Sequence, residues 1–270
     1  MRLAHLGPPG TFGESAASAW APDAEYVAVA SHAAVALAVT SGGADAGVLA
    51  IENSIEGSVS ETLDLLIHDT DLCIAGEVVV PVEHCLIARP GTRRDELTVV
   101  YSHPQALAQC RKYLARVLPA ARLEATLSTV AGVERALGET GAAGIGAERA
   151  ASRLGGEILE RSIQDRAGNV TRFVVVAERD APRSGRDKTS LAFKTAHDRP
   201  GTLVEVLSEL ASRGVNLTKI ESRPSRDALG IYVFLVDLEG HREDPLVAEA
   251  IQRVREKASW LKVFGSYPRA

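Results

Sequence analysis

The chain has 270 residues, 46% of them hydrophobic and 24% charged, with a formal net charge of -5. That length allows one large domain or two modest ones, and the apolar share suffices for a sizeable core. The acidic balance, without a basic patch, argues against nucleic acid as a main partner. Cys73, Cys85 and Cys110 form no CxxC pair, and an odd number cannot close completely within one chain. Reduced thiols in a reducing compartment are therefore expected. The N-terminus lacks the apolar stretch of a signal peptide, and no apolar run approaches the ~20 residues of a membrane span. These features predict a cytoplasmic protein without a membrane partner.

In chain order, residues 2–6 read as a strand, 14–20 as a helix, 25–29 as a strand and 33–40 as a helix. A strand over 46–51 precedes a helix over 59–68. Continuous apolar strands separated by helices point to a largely parallel, doubly covered sheet. A long strand over 72–80 then ends at Pro81. Strands follow over 84–88, 98–102, 122–126 and 142–145, with helices over 104–117, 129–138 and 147–153. One more strand covers 171–177. This pattern predicts two α/β lobes with a cleft between them, the second inserted into the first. Lobe 1 takes about 1–78 plus 163–178, and lobe 2 about 79–162.

Residues 178–187 are charged and broken by Pro182, Ser184 and Gly185, as a linker would be. A strand over 188–196 follows. Asp198-Arg199-Pro200-Gly201 starts a helix whose apolar stripe is Leu203, Val206, Leu207, Leu210 and Ala211, and Gly214 ends it. Strands over 217–223 and 230–238 flank the connection 224–229. Asp244-Pro245 opens a second helix, with Val247, Ala250, Ile251, Val254 and Ala258 on one face. A last strand covers 260–267. The order β-α-β-β-α-β is the ferredoxin-like split motif.

Six polar loops sit where strands of the first part end. They contain Thr11, Glu52-Asn53, Ser102 with Gln105, Ser128-Thr129, Gly144-Ile145-Gly146, and Asn169-Val170-Thr171-Arg172-Phe173. The first five each precede a helix, and helix N-termini attract anions. In open α/β sheets, ligands lie beyond the carboxyl ends of strands. Such loops suit a small, polar, multiply anionic ligand. Ser102, Ser128 and Thr129 also suit plain helix capping. Gly144-x-Gly146 hints at a dinucleotide site, but the third small residue of that fingerprint falls on Arg149. No Walker A pattern, nucleophile elbow or paired histidines at i, i+4 are present, and a structural metal site is not expected. Arg172 lies at the start of an apolar strand, where a buried cation needs an anion. A substrate carboxylate held by a bidentate fork would supply it; an internal ion pair, with Asp165 for instance, would also.

Leu6-Gly7-Pro8-Pro9-Gly10-Thr11-Phe12 resembles the N-terminal motif of prephenate dehydratases. Ile51-Glu52-Asn53-Ser54-Ile55-Glu56-Gly57-Ser58-Val59, followed by Thr62-Leu63-Asp64-Leu65-Leu66, is similar to the next. Ser102-His103-Pro104-Gln105-Ala106-Leu107-Ala108-Gln109-Cys110 and Asn169-Val170-Thr171-Arg172-Phe173 match two more. The C-terminal part resembles an ACT domain through Gly201-Thr202-Leu203-Val204 and Glu221-Ser222-Arg223-Pro224. The resemblance spans nearly the whole chain in the family's order. Three positions depart from the family's pattern. Gly13 replaces a serine, Val130 an alanine after Ser128-Thr129, and Thr202 an alanine in the first ACT motif, where it bears on effector choice.

The resemblance implies an α/β, two-lobed, periplasmic-binding-protein-like catalytic domain over 1–178. A ferredoxin-like βαββαβ ACT regulatory domain over 188–267 follows. It implies the cofactor-free loss of water and carbon dioxide from prephenate to give phenylpyruvate in phenylalanine biosynthesis, by a monofunctional enzyme. Aromatisation drives that reaction. The resemblance places the essential threonine at Thr171. A threonine hydroxyl is too weak an acid to fit general acid catalysis, so Thr171 is expected to donate a hydrogen bond to the departing hydroxyl. Arg172, Ser102 and Ser128 are expected at the carboxylates, and Asn53 and Gln105 at the ring or its hydroxyl. Thr11 and Thr129 join them through their hydroxyls. Glu52 suits either an acid or a loop-holding role, and Phe173 packs under the site. Phenylalanine is the expected effector, at Gly201, Thr202, Leu203 and Val204 on one side and Asn216, Leu217, Glu221, Ser222 and Arg223 on the other. Pairing through ACT domains implies a homodimer or homotetramer. The alternatives are an arogenate dehydratase of the same fold and a non-catalytic amino-acid-responsive binding protein.

Overall fold

The computed structural model describes residues 1–197, 199–228 and 230–270. It opens with β1 (Arg2–Leu6), α1 (Phe12–Trp20), β2 (Glu25–Val29), α2 (His32–Thr40) and β3 (Ala46–Asn53). A two-residue β4 (Gly57–Ser58) folds back antiparallel on β3, setting Ser58 against Glu52 and Gly57 against Asn53. α3 (Ser60–Asp64) widens into a π-helical turn at Leu65–Asp69. Next come β5 (Cys73–Pro81), β6 (Cys85–Ala88), β7 (Val99–Ser102), α4 (Pro104–Gln109) and α5 (Arg111–Val117). They lead to β8 (Arg122–Ala125), α6 (Thr129–Leu137), β9 (Ala142–Gly146), α7 (Glu148–Leu154), β10 (Glu157–Glu160) and β11 (Val170–Ala177). The last part is β12 (Asp187–Thr195), α8 (Thr202–Ala211), β13 (Leu217–Pro224), β14 (Tyr232–Glu239), α9 (Pro245–Lys257) and β15 (Ala258–Pro268). Asp198 and Leu229, at the expected start of α8 and in the β13–β14 connection, lie outside the described residues.

Among the described residues, three sheets result. The first runs β2-β1-β3-β11-β5, the second β10-β6-β9-β7-β8, and the third β13-β14-β12-β15. β1 and β2 are parallel, as expected. The second sheet is mixed: β7 is parallel to β8 and β9, whereas β6 is antiparallel to β9 and β10. β6 follows β5 after three residues with no crossover helix, so nothing forces it into the parallel direction. The helix expected over 104–117 is two helices. Asp165 supplies the break: its carboxylate accepts from the backbone N–H groups of Lys112 and Tyr113 and starts α5 afresh.

The chain divides into two compact units. One comprises Met1–Val35, Val48–Val59 and Val79–Phe173; the other comprises Ala36–Gly47, Ser60–Val78 and Val174–Ala270. In the first, Leu86, Val100, Leu114, Ile145 and Ile163 form one fully buried cluster, and Ile87, Val130, Val133 and Ala150 form another. Each such side chain contributes roughly 1.5–3 kcal/mol on leaving water. α6 lies unusually close to its sheet. A Cβ on Gly144 would stand 2.5 Å from the Cα of Val133, and one on Gly132 would stand 2.8 Å from the Cα of Ser102. The Gly144-x-Gly146 pair is thus a packing device rather than a nucleotide fingerprint.

In the second unit, Leu191 and Phe193 of β12 and Val236 and Leu238 of β14 meet Val206 and Leu210 of α8 and Val247, Ile251 and Val254 of α9. Phe193 stacks on Phe234 at 5.6 Å. Other β12 residues meet β5: the buried ammonium of Lys188 pairs with the Glu77 carboxylate at 2.7 Å. Gly265 of β15 approaches β5 so closely that a Cβ would stand 2.4 Å from the Ile74 carbonyl oxygen. All three cysteines are free thiols. Among the described residues, no helix is long and apolar enough to cross a membrane.

Replacing Gly144 by alanine forces α6 away from β9. The expected outcome is a loss of about 3 kcal/mol in stability, read from the midpoint of urea denaturation. An unchanged midpoint would mean that α6 shifts without cost.

Candidate active site

The site grows from the tight turn between β3 and β4. The Asn53 Oδ1 accepts from the backbone N–H groups of Ile55 and Glu56, both at 3.0 Å. This is the self-bonding that favours asparagine in turns. With its oxygen occupied there, the carboxamide must present its nitrogen on the other side. Nδ2 donates to Asn169 Oδ1 at 2.8 Å, to Thr171 Oγ1 at 2.9 Å and to the Val170 carbonyl at 3.2 Å. Ser54 completes the junction: its N–H donates to the Val170 carbonyl, and its Oγ accepts from the Val170 N–H. The β3 end and the β11 start are thereby fixed to each other.

A cavity of about 380 Å³ opens beside Thr171 and Asn53, within the range of small-ligand sites. Leu6, Val48, Ala50 and Phe173 line its apolar part. Thr11, Gln105, Gln109, Ser128 and Thr129 line its polar part, with His32, His84 and His103. α1 and α6 begin at this cavity, so the positive ends of two helix dipoles border it. Ser128 caps α6 through its Oγ, which accepts from the Ala131 N–H at 3.0 Å. Leu127, beside it, is 97% exposed at the cavity edge.

Of the residues singled out in the sequence, Thr11, Asn53, Gln105, Ser128, Thr129, Thr171 and Phe173 line this one cavity. Three others lie elsewhere. Ser102 is fully buried and donates to the Ile145 carbonyl at 2.7 Å. Arg172 does not line the cavity. Alternation along β11 turns Thr171 and Phe173 to one face and Arg172 to the other, where its guanidinium pairs with Glu52 at 3.1 Å. The internal partner is thus Glu52, while Asp165 caps α5.

Sequence reasoning missed Gln109, Asn169, His84 and Glu14. Gln109 and Asn169 stood inside quoted motifs but had no assigned role. His84 had no local signal. Its ring is 3% exposed, and burial holds it below the usual imidazole range despite a hydrogen bond to Gln109. Glu14 only starts the expected helix over 14–20, with nothing local to mark it as buried, yet it is 1% exposed. Its carboxylate accepts from Gly10 N–H and from Arg153, and Arg149 lies 3.2 Å away. Burial alone would raise its pKa. The Arg153 hydrogen bonds, the Gly10 N–H and the Arg149 charge outweigh that and lower it to about 2. Glu14 ties the Gly7–Thr11 loop to α7.

In the C-terminal part, Gly201 precedes α8 in a left-handed conformation at φ +88°, where a side chain would be strained. The Thr202 hydroxyl donates to the Arg199 carbonyl at 3.0 Å, which keeps this threonine engaged in the turn. Leu203 is half-buried and Val204 exposed, while Asn216 and Leu217 begin the β13 edge. Glu221, Ser222 and Arg223 lie along β13. Arg223 pairs with Asp64 at 3.0 Å and donates to Ser60 Oγ at 3.1 Å, so this motif is joined to α3.

An α/β part carrying a cavity of hydroxyls and carboxamides between helix N-termini, followed by a βαββαβ part, defines a small-molecule enzyme with a regulatory module. Two family models match the chain: prephenate dehydratase over residues 3–181 and the ACT domain over residues 189–256. A bifunctional chorismate mutase/prephenate dehydratase of Aquifex aeolicus is 43% identical, with 100% of this chain and 74% of that protein covered. A prephenate dehydratase from Arthrobacter aurescens, solved in complex with L-Phe, superposes with a TM-score of 0.91 at 36% identity. That match covers 100% of this chain and 90% of the other. GqqA, described as a novel type of quorum quenching acylase, also reaches a TM-score of 0.91, at 30% identity, covering 100% and 98%. The chain belongs to the prephenate dehydratase family, a family of lyases.

Glu14 yields a pH-dependent prediction. Its folded pKa lies below the ordinary 4.5, so its contribution is complete above about pH 4.5 and lost as pH falls toward about 2. Glu14→Gln is expected to lower stability by about 2 kcal/mol at pH 7. The gap from wild type should shrink when urea denaturation is repeated at pH 3. A gap that stays constant would show that the carboxylate charge contributes nothing.

Proposed function

We propose that this enzyme acts on prephenate in the cavity beside Thr171, with the carboxylate bond at the ring carbon breaking as the ring hydroxyl departs. The electron pair released with carbon dioxide enters the ring and makes it aromatic. The departing hydroxide takes a proton that arrives from solvent, giving water and phenylpyruvate. The observation that carries this reading is the hydrogen-bond polarity at Thr171. Its Oγ1 accepts from Asn53, which leaves the hydroxyl proton for the cavity. There it polarises the leaving hydroxyl, and positioning with electrostatic stabilisation supplies the remainder.

The two carboxylates of the substrate are assigned to the helix ends at Thr11 and at Ser128 and Thr129, with Gln105 beside them. Charge-assisted hydrogen bonds of roughly 1.5–3 kcal/mol each suffice to fix such a dianion. Asn53 orients Thr171, and Phe173 packs beneath. Arg172 and Glu52 brace the ends of β11 and β3, and Ser102 braces β7. An acylase reaction is less favoured. The hydroxyls of Ser128, Thr11 and Thr171 bond to a helix N–H, a carbonyl and a carboxamide, not to an imidazole base.

Phenylalanine is the proposed effector, bound in the cytoplasm by Gly201, Thr202, Leu203 and Val204 together with Asn216, Leu217, Glu221, Ser222 and Arg223. The ACT domain and the L-Phe complex of the Arthrobacter relative support this. Self-association into a dimer or tetramer through ACT domains belongs to the same reading. The Arg223–Asp64 pair offers the effector motif a direct hold on α3.

Incubation with prephenate should produce phenylpyruvate, followed by its absorbance. Thr171→Ala should cut kcat by about 100-fold or more with an unchanged melting temperature. Near-normal turnover in that variant would sink the assignment. Arogenate run in parallel decides which compound is preferred. Saturating phenylalanine should lower turnover or raise the melting temperature; no response in either would remove it as effector.

A further inference from the structure

We propose that His84 is a positioning residue for Thr171, acting through Gln109, Asn169 and Asn53. This rests on the role given to Thr171 above. The starting point is that each carboxamide has one end that only accepts and one that only donates. Backbone N–H groups fix the Asn53 oxygen, so its nitrogen faces Asn169 Oδ1 and Thr171. Asn169 therefore turns its own nitrogen toward Gln109 Oε1, at 3.4 Å. The Gln109 nitrogen donates to the Glu56 carboxylate at 3.2 Å, which confirms from the other side that its oxygen faces inward. His84 Nε2 lies 2.9 Å from that same oxygen. A ring nitrogen facing a carboxamide oxygen must carry the proton. The neutral ring is then the Nε2–H tautomer, and Nδ1 is a bare lone pair.

That Nδ1 is buried and has no hydrogen-bond partner among the described residues. A buried, unpaired acceptor is costly and calls for a reason. The ring is held regardless. The His84 N–H donates to Gln164 Oε1 at 3.0 Å, its carbonyl accepts from the Ile163 N–H at 2.9 Å, and Phe12 meets the ring edge-on at 5.8 Å. The function of this placement is the other nitrogen. Without the Nε2–H donor, Gln109 Oε1 keeps only the long bond from Asn169. The carboxamide row could then reorient, and Thr171 would lose its fixed hydroxyl direction.

The test compares His84→Gln with His84→Asn. The glutamine amide reaches the place of Nε2 and keeps a donor for Gln109; the asparagine amide stands at the place of Nδ1 and stops short. kcat should fall about tenfold in His84→Asn, the size of one hydrogen bond. It should stay within about threefold of wild type in His84→Gln, with KM little changed in both. A merely structural role would lower both variants together, and equal losses overturn the proposal. The pH profile of kcat should be the same in His84→Gln and wild type; loss of an alkaline limb would make His84 a proton donor instead. Nitrogen-15 shifts of the imidazole in the ligand-free protein should report Nε2 protonated, and an Nδ1–H tautomer overturns the network. That measurement needs no turnover, so it separates failure of this inference from a wild type that leaves prephenate untouched.

Discussion

The backbone N–H groups of Ile55 and Glu56 can only donate, and both donate to Asn53 Oδ1. From that constraint the direction of every neighbouring hydrogen bond follows. Asn53 must offer its nitrogen to Thr171, so the Thr171 oxygen is occupied and its proton is directed outward. Asn169, Gln109 and His84 fall into line behind it. In the role proposed for it, this hydroxyl is useful because its orientation is settled before a ligand arrives, which is how preorganised dipoles act. The turn that does this is only a few residues long, and β4 exists to close it.

The rest of the first unit holds that turn and the facing helix ends in register. α6 brings Ser128 and Thr129 to the cavity because Gly132 and Gly144 let its backbone descend onto the sheet. Glu14 anchors the loop that carries Thr11 by taking two arginines and one backbone N–H. In the second unit, β12 and β15 meet β5 through Lys188–Glu77 and the bare backbone of Gly265. The ferredoxin-like sheet is therefore packed on both faces: helices on one, residues from before the linker on the other.

Much of this was legible in the sequence because it depends on local rules. The apolar stripe of α8 and the Asp244-Pro245 start of α9 follow from spacing and capping. The cavity residues Thr11, Asn53 and Ser128 were legible because they end strands or start helices, whereas Thr171, near the start of β11, was singled out by the family resemblance. What escaped depends on partners far away in the chain. The break at Cys110 comes from Asp165, and the burial of Glu14 comes from Arg149 and Arg153 on α7. Arg172 was a strand-start cation whose partner, Glu52, lies 120 positions earlier. Alternation on β11 sends it away from Thr171, and the exact strand start that decides this is beyond periodicity alone. Gly144-x-Gly146 carried a true signal with the wrong meaning, since glycine permits close approach to a helix as well as to a phosphate.

Asn53 is followed by Ser54, and an asparagine before a small residue is chemically fragile in a flexible chain. Ageing begins when the next residue's backbone nitrogen attacks the side-chain carbonyl carbon and expels ammonia, and it ends when water opens the resulting cyclic imide to aspartate or isoaspartate. Here the Ser54 nitrogen is engaged with the Val170 carbonyl, and both ends of the Asn53 amide are occupied. The bonds that give the site its polarity thus also shield it from slow chemical damage. Were the change to occur in a transiently opened molecule, the new carboxylate would have no N–H to offer Thr171. Shelf life and orientation of the site are set by the same few atoms.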